Sequence, residues 1–184
     1  MLPGLEQLVV QCAPQVAPTT MLAIVKVESG GNPLALNVNG ARRLARQPAS
    51  REEAIAWSEW LIDRGYSIDM GLAQVNSGNL RKLRASVAGM FDPCTNIAAG
   101  AAILAGEYAG AAKTMGTGQT ALKAALSAYN TGNHRTGLAN GYVARVTRAA
   151  LDPMADARQV RPLRRVAMSA DAAAISPRVF FVRR

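Results

Sequence analysis

The sequence predicts an all-α, or mainly α, fold. Ala and Leu are plentiful, and runs of β-branched residues are few. Several stretches open and close on helix-capping chemistry. Apolar residues make up 49% of the 184 positions, enough for a sizeable core in one domain, or in one domain with a tail.

The first helix with a clear signature opens near Thr19 or Thr20, N-cap residues after Pro18, and runs through "MLAIVKVES". Leu22, Ile24, Val25 and Val27 make it apolar on most sides, so it reads as a buried helix. Gly30-Gly31 and Pro33 supply its stop. Its one acidic residue, Glu28, falls in the last turn, where both burial and the helix dipole favour the protonated form. Residues 34–49 read as irregular, with Asn37, Asn39 and Gly40 as turn formers. Ser50 and Glu53 make a capping box that opens a helix closed by Gly65. "YSIDMGLAQVNSGNLRKL" carries no clear period. Asp92-Pro93 begins a long Ala- and Gly-rich helix suited to close packing. A further helix breaks at Thr131-Gly132, and a short one carries Tyr142, Val143 and Val146 on one face. The helical region is expected to be one domain over residues 1–150. Residues 151–184, with seven Arg, no Lys and three Asp, are expected to be a weakly ordered basic tail ending in "RVFFVRR", a strand, a docking peptide or a membrane-surface contact.

The formal net charge of +9 attracts an anionic polymer: nucleic acid, anionic lipid or cell-wall polymer. Nucleic acid is disfavoured, because the Arg residues are not interleaved with aromatics and no nucleic-acid motif is present. No apolar run reaches the roughly 18 residues that span a bilayer. "MLPGLEQLVVQCAP" lacks a basic n-region and makes a poor signal peptide; "LVVQC" has the outline of a lipoprotein cleavage site, but Gln11 stands where a small residue is needed. Cys12 and Cys94 are either two buried thiols or one disulfide, and spacing does not decide. With two cysteines and a single histidine, His134, no metal site and no cofactor are expected. Trp57 and Trp60 read as core or rim packing.

Three short motifs carry polar residues and Gly between apolar flanks: "VESGGNP" around Glu28, "DMGLAQVN" from Asp69 to Asn76, and "LSAYNTGN" from Leu126 to Asn133. In this order they resemble the catalytic motifs of the goose-lysozyme-like (soluble) lytic transglycosylases: Glu-Ser before Asn-Pro, then Gly-Leu-Met-Gln-Ile-Asn, then Ala-Tyr-Asn-x-Gly. "CAPQVAP", the Asp ahead of "GLAQVN", and "FDPCTNIAAGA" are most similar to the small specialised enzymes of type IV secretion and conjugation systems. The resemblance covers roughly residues 8 to 150.

The resemblance implies a lysozyme-like fold and a peptidoglycan-cleaving enzyme that opens the wall locally for a secretion apparatus. It makes Glu28 the catalytic acid and base, Ser29 its conserved-motif neighbour, Gln74 and Asn76 cleft residues, and Tyr129 with Asn130 active-site residues. A raised-pKa carboxylic acid can protonate a glycosidic oxygen near neutral pH. The family then uses the same group as base toward the 6-hydroxyl of N-acetylmuramic acid, giving a 1,6-anhydro end without water. Two departures, Ala73 for the usual Met and Met70 for Ser, are expected to alter the cleft floor. Asp69 is the challenger: as a second carboxylate it would hold a water and make the enzyme an inverting hydrolase, or else it is a turn residue. Tyr142 reads as a core aromatic, although the family often has an aromatic there near the sugar. A third reading is an assembly factor whose tail recruits secretion components, with catalysis secondary. The enzyme reading implies a monomer in the periplasm, acting on glycan strands; the poor signal peptide conflicts with this unless the sequence is trimmed or export uses an atypical N-terminus. It permits a Cys12–Cys94 disulfide, which is expected there.

Overall fold

The structure is a computed structural model that describes residues 4–40, 42–151 and 181–183. Its elements follow in chain order: α1 (Leu5–Cys12), α2 (Pro18–Ser29), β1 (Leu36–Val38), β2 (Arg42–Leu44), α3 (Arg51–Asp63), β3 (Ile68–Met70), β4 (Val75–Asn76), α4 (Leu80–Leu83), α5 (Pro93–Met115), α6 (Gln119–Thr131), α7 (Thr136–Ala139), α8 (Tyr142–Leu151) and β5 (Phe181–Arg183). The protein is therefore mainly α, as expected, with two small antiparallel sheets added.

The N-cap of α2 lies two or three residues earlier than the sequence suggests. Pro18 takes the first helical position and Ala17 the cap, because Pro at N1 gives up an N–H that has no partner there anyway. Met21, Ala23, Ile24 and Val25 are buried, and Leu22 and Val27 pack against the same core. Gly30 ends the helix in the left-handed region (φ 63°), its N–H bonded to the Lys26 carbonyl at 3.1 Å. Ser50 caps α3 by accepting from the Glu53 N–H at 3.1 Å. The Glu53 carboxylate does not close the box on Ser50; it accepts from the Ala49 N–H at 2.7 Å and pairs with Arg46. Asp92 caps α5 through the Thr95 N–H at 2.8 Å. Trp57 is buried, and Trp60 is half-buried with Arg64 stacked on its face, so both pack as expected.

The segments read as irregular hold the sheet. β1, β3 and β4 pair antiparallel in the order β1-β3-β4. "LNV", "IDM" and "VN" alternate, so Leu36, Val38, Ile68, Met70 and Val75 enter the core. The opposite face carries a single cross-strand row, Asn37 opposite Asp69 and Asp69 opposite Asn76. Strands of two or three residues are too short to leave a readable period, which is why they escaped the sequence.

α1 and α5 are joined by the Cys12–Cys94 disulfide, Cα–Cα 5.4 Å. α5 forms the central post: Ile97, Ala101 and Leu104 are buried in its first half, and α6 packs alongside it. α8 lies against α2 and buries Tyr142, Val143 and Val146, the face the sequence indicated. No described helix is long and apolar enough to cross a membrane. Of the expected tail, residues 152–180 lie outside the described residues, whereas "FVR" of the terminal segment is strand β5, antiparallel to β2.

Candidate active site

Two adjoining hollows form a cleft between the small sheet and the helices. Glu28, Asn39, Asp69, Gln74 and Asn130 line both. Asn76, Glu107 and Tyr129 line one end; Ser29, Asn32 and Gln47 line the other. Every site residue suggested by the three motifs thus borders one cleft, although the motifs lie far apart in the chain.

Glu28 reaches the cleft from the C-terminal turn of a helix whose other faces are packed. Burial raises its pKa to about 7 from the ordinary carboxyl value; a hydrogen bond from Tyr142 opposes the rise, the Asp69 charge adds to it, and Arg145 opposes it. The carboxyl therefore keeps its proton well above the ordinary carboxylate range, up to about pH 7. The Tyr142 hydroxyl donates to Glu28 Oε1 at 2.5 Å. Burial first, and then Glu28, push the Tyr142 pKa far up, so this hydroxyl stays a donor. Arg145 lies 5.7 Å from the centroid of the Tyr142 ring. Tyr142 is the residue that sequence reasoning left in the core. It is buried there, but its hydroxyl end is at the acid, a pairing across 114 residues that no local pattern announces.

Tyr129 has a different task. Its hydroxyl donates to the Ala73 carbonyl at 2.7 Å, holding the second motif from behind. Its pKa is also raised well above the ordinary value, by burial before anything else. Ser29 closes the end of α2: its hydroxyl donates to the Val25 carbonyl and accepts from the Gly31 N–H, each at 3.1 Å. Asn130 accepts from the Asn140 carboxamide at 3.0 Å, tying α6 to the turn before α8.

The second motif is a tight loop clamped on both sides. Gly71 (φ 73°) admits no side chain, because a Cβ there would lie 2.3 Å from the Met90 carbonyl oxygen. Asn96, buried in α5, accepts from the Ala73 N–H at 2.7 Å and donates to the Met70 and Met90 carbonyls at 2.8 and 2.9 Å. Asn96 went unassigned in the sequence, although it lies within "FDPCTNIAAGA". Gln74 adopts φ 49°, uncommon for a residue with a side chain, and its carboxamide nitrogen donates to the Ala35 and Gly71 carbonyls at 3.1 and 3.0 Å. Ala73 and Met70 do not shape the cleft floor as expected; both are fully buried behind it. Gly100 of α5 lets Ala73 approach, a Cβ there falling 2.6 Å from the Ala73 Cβ.

Asp69 stands in the middle of the cross-strand row. Its Oδ1 accepts from the Asn76 carboxamide at 2.7 Å, and its Oδ2 accepts from Asn39 at 3.0 Å and from Asn37 at 3.5 Å. Asn76 also accepts from the Gly78 N–H at 2.9 Å. Glu107 borders the cleft with His134 3.8 Å away. Among the described residues no three His, Cys, Asp or Glu side chains gather as metal ligands would.

The cleft thus sets the carboxyl group of Glu28 among amide side chains, and comparison with known proteins gives the family to which the chain belongs. The model of the transglycosylase SLT domain matches residues 9–151, and the chain belongs to that family. It is 49% identical over 128 residues to the type IV secretion system protein virB1 of Brucella abortus and to that of Brucella suis, covering 69% of this chain and 53% of each relative. It is 39% identical over 141 residues to the protein virB1 of Agrobacterium fabrum, 76% of this chain and 56% of that relative. The chain thus spans about half the length of the curated relatives it matches. No solved structure matches significantly.

Proposed function

We propose that the chain is a peptidoglycan lytic transglycosylase, cleaving the β-1,4 bond between N-acetylmuramic acid and N-acetylglucosamine and leaving a 1,6-anhydro end. Residues 1–150 are its catalytic domain and 151–184 a basic extension. The observation that carries the reading is a half-buried Glu28, its pKa raised to about 7, in the cleft of an SLT-family chain. Glu28 gives its proton to the glycosidic oxygen, and the bond from that oxygen to C1 breaks. The resulting carboxylate takes the proton of the muramic 6-hydroxyl as that oxygen bonds to C1. Proton and bonds balance without water. Tyr142 occupies Oε1, which leaves Oε2 to face the scissile oxygen. Gln74, Asn76 and Asn130 offer amide groups to sugar hydroxyls and acetamides, while Ser29 and Tyr129 hold the loops that carry them.

The name of the Brucella relatives places those proteins in a type IV secretion system. We extend this to the chain: it opens the wall locally for such an apparatus, outside the cytoplasm where peptidoglycan lies, in the periplasm. The basic extension is available to recruit secretion components. A second reading, an inverting hydrolase with Asp69 as base, is favoured by the shared lining of Glu28 and Asp69. The test is digestion of purified peptidoglycan by the wild type and by Glu28→Gln, with products read by mass spectrometry. Anhydro-muropeptides from the wild type alone are expected. Reducing-end products would move the assignment to the hydrolase, and no product from either to an assembly factor.

A further inference from the structure

The transglycosylase chemistry needs one carboxyl group, yet the cleft is built around a second. Asp69 is not a loose surface charge. It sits at the centre of a three-strand row, opposite Asn37 on one side and Asn76 on the other. Asn76, Asn39 and Asn37 all turn carboxamide N–H groups toward it. A carboxylate only accepts hydrogen bonds and these groups donate, so the row fits an ionised Asp69 and fixes both of its oxygens. The core side of the same strands is closed by Leu36, Val38, Ile68 and Met70, which leaves the row one direction to face, the cleft it lines with Glu28.

We propose that Asp69 is a second functional carboxylate that moves no proton: a fixed negative charge that stabilises the positive charge developing at the sugar C1 and holds the proton on Glu28 before the bond breaks. This rests on the transglycosylase reading and departs from the hydrolase, in which Asp69 would be a base. A base must turn an oxygen to a water and take its proton; here both oxygens are already engaged by amides of neighbouring strands. A preorganised charge needs no such freedom: it is already in place when positive charge develops. The amides are neutral, so they orient the charge without cancelling it. The charged and titratable groups facing Glu28 among the described residues are Asp69 from β3, Tyr142 and Arg145 from α8, and Tyr129 from α6; Glu107 of α5, beside His134, lines the same cleft. Of these, Asp69 acts on Glu28 in the direction of retaining its proton, against Tyr142 and Arg145.

The experiment is a pH–rate profile of the full chain on purified peptidoglycan, with products read by mass spectrometry, for the wild type, Asp69→Asn, Asn39→Ala and Glu28→Gln. Asp69→Asn should lower kcat on the order of 100-fold, move the alkaline limb to lower pH, and still yield only anhydro products. Asn39→Ala, which keeps the charge, should leave the alkaline limb in place. Should Asp69→Asn not fold, Asp69→Ser removes the charge with a smaller side chain and carries the same expectation. An unchanged kcat with an unmoved limb in a folded charge-removed variant overturns the inference. So does a lowered kcat with an unmoved limb, which marks a structural role. Reducing-end products from the wild type that vanish in Asp69→Asn overturn it in favour of the base. Failure of the underlying reading is separate: it appears as activity in Glu28→Gln or as no anhydro product from the wild type, whatever Asp69→Asn does.

Discussion

An acid whose pKa is raised by partial burial is a cost to the fold once it ionises, and Glu28 shows the sign. Its pKa is about 7 in the folded protein and near 4.5 in an ordinary carboxyl. Between those values the folded state holds more protons than the unfolded one, so stability falls as pH rises through the window. Replacing Glu28 with Gln removes the penalty. Glu28→Gln should be inactive and, above pH 7, more stable than the wild type by roughly 3 kcal/mol at most, with the difference vanishing below pH 4; urea denaturation at the two pH values measures it. Tyr142→Phe acts oppositely on the charge. The hydroxyl lowers the Glu28 pKa, so its loss should carry the alkaline limb of activity to higher pH while kcat falls. A limb that stays in place would take Tyr142 away from the acid. Glu28 was legible in the sequence, because a lone carboxylate in the last turn of an apolar helix has few structural uses. Tyr142 was not: a tyrosine on the apolar face of a short helix looks the same whether its hydroxyl meets a backbone carbonyl or an acid.

The elements divide in the same way. Helices with stop residues were legible: Gly30 ends α2, Asp92 opens α5 and Gly132 ends α6, each for a reason of backbone conformation or capping that local sequence expresses. The sheet was not, since "LNV", "IDM" and "VN" are too short to show a period and are defined by their partners. The clamp on the second motif was also illegible, because it joins α5 to a distant loop through Asn96. That clamp makes a prediction. Asn96→Ala strands the Ala73 N–H and weakens the environment of two carbonyls in the interior. Each buried polar group left unpaired costs about 1–3 kcal/mol. The variant should lose on the order of 3 kcal/mol or more by denaturant titration. Because the same loop carries Gln74 and leads into Asn76, activity in the surviving folded fraction should fall as well; full activity per folded molecule would mean that the loop holds its shape without the clamp.

At the scale of the molecule, the disulfide decides how the parts stay together. It joins α1 to the start of α5 across 82 residues, enclosing α2 with Glu28, the small sheet with Asp69, and the second motif. The sequence left Cys12 and Cys94 open between thiols and a bridge; the resemblance to wall enzymes inclined the choice to a bridge, and the fold brings the two residues together. In the chain-entropy view, a crosslink over a loop this long restricts the unfolded chain by on the order of 4 kcal/mol. That is a large share of the ordinary 5–15 kcal/mol of net stability of a folded domain. Cys12→Ala/Cys94→Ala should therefore melt well below the oxidised protein. Reductant should lower the melting temperature of the wild type and leave that of the double variant unmoved. The bridge lies away from the cleft lining, so below its melting temperature the double variant should keep its kcat and its product identity. A fall in kcat without a fall in melting temperature would assign the bridge to the setting of α5, and with it to Asn96 and Gly100, rather than to the stability of the fold.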